Sequence, residues 1–128
     1  MSDEPSIRRL GEGYEPHVDE HDGALAYSFP VDSGFVSASF SFEIQEADLA
    51  VMLNDPFRRA ALDITTHTVL QRSMQIGSKK VTQSRFTALV AQILHSTQPE
   101  LDAFLRRFDV KHHMLTQVYI DQVLGRRE

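Results

Sequence analysis

The chain has no cysteine and no tryptophan among its 128 residues. Without thiols there is no disulfide scaffold, thiolate zinc site, iron–sulfur cluster or cysteine nucleophile. The longest apolar runs fall well short of the roughly 20 residues that a membrane-spanning helix needs. Met1–Leu10 opens on acids and lacks the apolar core of a secretory signal, so a cytoplasmic protein is expected. A P-loop, GxGxxG, HExxH and a nucleophile elbow are all missing, and neither a cofactor nor catalysis is expected. The length is enough for one domain that buries its own core.

Charge is unevenly spread. Residues 1–55 carry twelve Asp and Glu against two Arg, a balance of −10, whereas residues 56–128 carry six acids against eleven Lys and Arg, a balance of +5. The overall −5 conceals this division. Sign asymmetry between segments points to interaction surfaces rather than to a particular chemistry.

Residues 1–23 are polar, acidic and interrupted by Pro5, Gly11, Gly13, Pro16 and Gly23, which predicts a largely irregular leader able to add one strand at most. The domain proper is read as residues 24–128. Leu25, Tyr27, Phe29 and Val31 alternate along one strand, and Val36, Ala38, Phe40, Phe42 and Ile44 along a second, across a turn placed at Asp32-Ser33-Gly34. Period-two alternation with serines between gives a hairpin with one buried and one wet face. Its outer edge is left for the leader or a partner strand to cover. From Glu46 the period becomes helical. Five helices are expected: Glu46–Leu53 with Leu49, Met52 and Leu53 inward; Pro56 to about Ile76, capped by Asp55; one after Thr82 with Phe86, Leu89, Val90, Ile93 and Leu94; one from Pro99; and Lys111–Leu124 with Leu115, Val118 and Tyr119 inward. Gly125–Glu128 reads as a frayed end. The fold class is therefore α+β, an N-terminal antiparallel hairpin packed on a bundle of four to five helices.

Few residues suggest chemistry. His17 and His21, with Asp19 and Glu20 between them, are ligand types suited to zinc, but no third ligand is evident and no metal site is assigned. His67 and His95 are read as a hydrogen-bonded core residue and a helix C-cap. Arg58, Arg59, Arg72, Lys79, Lys80 and Arg85 could form a phosphate-contacting patch, loosely a helix–turn–helix, although pI near 5.6 disfavours steering to nucleic acid. Arg107, four residues and then His112 resembles the Arg-to-His signature of the HEPN ribonucleases, helical proteins in which such a pair acts on the RNA backbone. The resemblance implies that His112 moves a proton and Arg107 holds phosphate. The same arginines also fit the solvated last turn of a helix.

The acids provide the main functional expectation. Asp19, Glu20 and Asp22 in the leader, and Asp32, Glu43, Glu46 and Asp48 beside the hairpin, are read as a surface for a basic protein partner. Small, acidic, cysteine-free single domains without a catalytic motif are similar in kind to bacterial immunity proteins. By that analogy the chain would neutralise a basic toxin, in particular a nuclease, by occluding its site. The alternatives are a HEPN-like ribonuclease and a nucleic-acid-binding regulator. Neither a membrane nor a nucleic acid is expected as partner, and the oligomeric state is not readable.

Overall fold

The computed structural model describes residues 6–13, 15–33, 36–75, 77 and 79–127. In chain order the elements are β1 (Ile7–Leu10), β2 (His17–His21), β3 (Ala24–Ser33), β4 (Val36–Ile44), α1 (Glu46–Asn54), α2 (Pro56–Ser73), α3 (Gln83–Leu94), α4 (Gln98–His112) and α5 (Thr116–Arg127). The fold is α+β: an antiparallel sheet of order β1-β2-β3-β4 packed against five helices.

The expected hairpin is β3–β4, with Tyr27 opposite Phe42 and Phe29 opposite Phe40. Asp32 and Ser33 are still strand residues, paired with Ser37 and Val36. The expected turn is therefore not made by Asp32 and Ser33, and Gly34, the last residue of that expectation, lies outside the described residues.

The leader departs from the expectation of an irregular segment, because it supplies two strands. Each carries one apolar residue on the core side, Leu10 and Val18, and these pair with each other before Val18 meets Tyr27. One inward residue per strand is too few to show as alternation. The turns are locally encoded. Asp22 and Gly23, at φ of 52° and 81°, make the two-residue Asp-Gly connection that matches strand twist. Gly11 lies at φ 88°, where a Cβ would come within 2.5 Å of the Pro16 carbonyl oxygen, so the approach of β1 to β2 requires glycine.

The two remaining sheet edges follow from this order. β2 and β1 cover the outer side of β3, and β4 meets α3. There the Gln83 side-chain amide donates to the Glu43 carbonyl and accepts from its N–H, each at 2.8 Å, as a neighbouring strand would.

The core lies between the sheet and α2, which packs on β3, α1, α3 and α5. Consequently α2 is buried almost all round from Ala60 to Thr66, including Asp63, Thr65 and Thr66, and not only along the expected stripe. Phe86 of α3 stacks between Phe42 and Tyr27, with ring centroids 4.4 and 5.4 Å away. Side-chain caps set the helix starts: Asp55 accepts from Arg58 N–H at 3.1 Å, Thr82 from Arg85 N–H at 3.2 Å, and Thr97 forms a capping box with Glu100.

The C-terminal boundaries differ from the expectation. Lys111 and His112 complete α4, because His113 takes a left-handed conformation at φ 53° and ends it. α5 starts at Thr116, whose N–H and hydroxyl both donate to the Asp109 carboxylate. Thr116 and Ile120 are the buried residues of α5, while Leu115, Val118 and Tyr119 are exposed, as is Leu53 of α1. Gly125–Arg127 is helical rather than frayed, with Arg127 held by buried Asp63 and half-buried Glu15. Among the described residues no helix is long and apolar enough to cross a membrane.

Candidate functional site

The register gathers the two acidic stretches, separate in sequence, at one end of the sheet. Asp19 and Glu43 both lie opposite Ala26, two strand spacings or about 10 Å apart. Glu20 is opposite Leu25, which is opposite Ile44, so Glu46 at the start of α1 follows directly. Asp22 sits in the adjoining turn.

These acids are not equivalent. Arg8 Nε donates to Asp19 at 2.7 Å, while Arg9 contacts Glu20 and lies 3.5 Å from Glu46. Asp48 corrects the sequence reading: it is buried, accepts from Gln45 N–H at 2.8 Å at the start of α1, and lies 2.6 Å from His95 Nε2. It is a structural side chain and leaves the exposed set. Asp32 belongs to β3 by its backbone, but its side chain lies outside the described residues. The end formed by Asp19, Glu20, Asp22, Glu43 and Glu46 thus keeps five exposed or half-exposed carboxylates against two arginines. Ile7, the register partner of Glu20, stands beside them 58% exposed.

The other sequence candidates separate on geometry. A strand advances about 3.3 Å per residue, so His17 and His21 are spread about 13 Å apart along β2 instead of converging as a helix would bring them. His17 Nδ1 is 3.0 Å from the Glu15 carbonyl oxygen, and His21 faces Asp22 at 3.4 Å. Among the described residues no three His, Asp or Glu side chains converge as a metal site. His95 is the C-cap of α3. His67 packs its ring against Phe29, 5.8 Å between centroids, and burial holds its imidazole below the ordinary range. Arg58 and Arg59 leave the basic set: Arg58 binds the Ile93 carbonyl and Asp55, and Arg59 pairs with Glu15 at 3.4 Å. Arg107 and His112 line one cavity of about 300 Å³ with Phe104 and Phe108, and the His112 ring lies tilted against Phe108, 4.2 Å between centroids.

One polar network was not legible in the sequence. Asp63 on α2 accepts from the Tyr27 hydroxyl at 2.6 Å and from Arg127 Nη2 at 2.7 Å. Arg127 Nε also lies 3.4 Å from Glu15, which faces Arg59 as well. The network borders a cavity of about 830 Å³ between β3, α2 and α5. Burial pushes the Asp63 carboxyl above the ordinary aspartate range, although Tyr27 and Arg127 pull the other way. Burial also acts to raise Glu15, but the Glu12 backbone, Arg127 and Arg59 outweigh it and leave Glu15 below its ordinary value. One local sign existed, a lone acid within Ala60–Thr66. Nothing local marked Arg127 as its partner.

No family model, curated protein or solved structure significantly matches the chain.

Proposed function

We propose that this chain is a bacterial immunity-type protein of the cytoplasm that binds a basic toxin, a nuclease on the charge argument, and occludes its phosphate-binding site. The observation that supports the reading is the group of carboxylates at the end of the sheet, of which Asp19, Glu20 and Glu46 face Arg8 and Arg9. Those arginines fix Asp19 and Glu20 in position, so docking would order fewer side chains. The surplus would raise the encounter rate with a cationic cleft, and exposed Ile7 would add apolar contact.

The test is co-expression with the product of the gene directly upstream. A complex that protects cells, with association slowed at least tenfold by Glu43→Lys with Glu46→Lys and further by salt, is the expected result. Neither binding nor protection, or full affinity in the charge-reversed variant, overturns the reading. The HEPN-like ribonuclease remains the second reading because Arg107 and His112 share one cavity. It requires RNA cleavage by the purified chain that His112→Ala abolishes.

A further inference from the structure

Of the basic set expected from the sequence, Arg72, Lys79, Lys80 and Arg85 stay together once Arg58 and Arg59 are removed, and the fold adds Lys111 to them. Arg72 near the end of α2, Lys79 and Lys80 in the following loop, Arg85 in the first turn of α3, and Lys111 at the end of α4 line an open cleft of about 850 Å³. Among the described residues no carboxylate lines it and none of the five is in an ion pair. Arg9, Arg58, Arg59 and Arg127, in contrast, each have a carboxylate partner. Two of the five are steadied by main-chain carbonyls instead: Arg72 donates to His112 at 3.2 Å and Arg85 to Lys80 at 3.4 Å. Such bonds orient the guanidinium groups and leave their charge uncompensated.

We propose that this cleft binds a short chain of phosphates of the kind carried by a nucleoside triphosphate. Lysines and forked arginines together suit adjacent phosphate oxygens. Thr82, the N-cap of α3, lines the same cleft, so the positive end of that helix adds to the field. His112 stands in the cleft wall, within that field. Its imidazole is held below the ordinary range by burial and then by Arg72, Lys111 and His113, and its Nδ1 is buried without a partner among the described residues. The volume is that of a nucleotide-sized site. A long nucleic acid fits less well: among the described residues no Phe or Tyr lines the cleft for bases to stack on, and the net charge of −5 opposes the approach of an extended polyanion.

Calorimetry on the full chain with inorganic tripolyphosphate, ATP and a single-stranded RNA oligonucleotide tests this. Tripolyphosphate and ATP are expected to bind one to one, with Lys79→Glu and Lys80→Glu together weakening both at least tenfold. These side chains are exposed, so the fold should survive, which a urea melt checks. Glu43→Lys, at the acidic end, should bind phosphates undiminished, which keeps the outcome separate from that of the immunity reading. By reciprocal linkage the His112 titration midpoint, followed by NMR, should move upward when tripolyphosphate is added, as the anion offsets Arg72, Lys79, Lys80, Arg85, Lys111 and His113. No binding at millimolar concentration, binding insensitive to the loop substitutions, an unmoved His112 midpoint, or RNA bound more tightly than tripolyphosphate would each overturn the proposal.

Discussion

Replacing Asp63 with alanine removes the acceptor of one buried and one half-buried hydrogen bond at once. Its side chain is 7% exposed, the Tyr27 ring beside it is fully buried, and Arg127 is 21% exposed. Losing one member of a buried ion pair costs about 3–5 kcal/mol, because the other charge is stranded. An orphaned phenol adds about 1–3 kcal/mol. Arg127 can partly escape to water and retains Glu15 at 3.4 Å, so the expected loss is near the lower end, about 4 kcal/mol. Against a typical stability of about 5–15 kcal/mol this is a large fraction. Asp63→Asn should cost less, about 2 kcal/mol, since it keeps an acceptor for Tyr27 and is relieved of the burial penalty that raises the carboxyl. The assay is urea unfolding followed by circular dichroism, with an unchanged m-value as the control for two-state behaviour. A double-mutant cycle of Asp63→Asn with Arg127→Met should give a coupling above about 1 kcal/mol. A loss below about 1 kcal/mol for Asp63→Ala, or single effects that simply add, would refute the reasoning.

Three further outcomes follow from named contacts. Burial lowers His67, so the unfolded chain takes up a proton near pH 6.5 that the folded chain resists; stability is full above that pH and falls as pH drops below it. His67→Gln should flatten the fall in melting temperature between pH 7 and 5.5, and an unchanged slope would discount the effect. Gln83→Ala should uncover the β4 edge, costing about 1 kcal/mol and speeding hydrogen exchange at the Glu43 amide; unaltered exchange would mean that the amide pair protects nothing. Phe86→Ala removes the middle ring of the Phe42–Phe86–Tyr27 stack and should cost about 3–5 kcal/mol in the same urea assay, a value below about 1 kcal/mol being incompatible with that packing.

Alternation in Leu25–Val31 and Ala38–Ile44 revealed β3 and β4 because each strand rests one full face on helices. The stripe Phe86, Val90, Ile93 and Leu94 revealed α3 for the same reason. The leader supplies two strands where the sequence suggests room for one, because β1 and β2 each contribute a single inward residue, although Asp22-Gly23 is a readable hairpin turn. In α5 the apolar pattern alone does not define which side meets the bundle. Thr116 and Ile120 face it, and Leu115, Val118 and Tyr119 do not.

The sequence by itself determined the α+β class, the β3–β4 pairing, the Asp55 and Thr82 caps and the concentration of acids before Asp55. Tertiary structure alone decided which charges are free. It buried Asp48 against His95, paired Arg59 and Arg127 with Glu15 and Asp63, and brought Lys111 to Arg72, Lys79, Lys80 and Arg85. The physical reason is range. Periodicity and capping are set by neighbours within about a turn or a strand pair, which a sequence displays. Charge compensation depends on a few ångströms between side chains up to 64 residues apart, as in Asp63 and Arg127, and only the packed chain defines those distances.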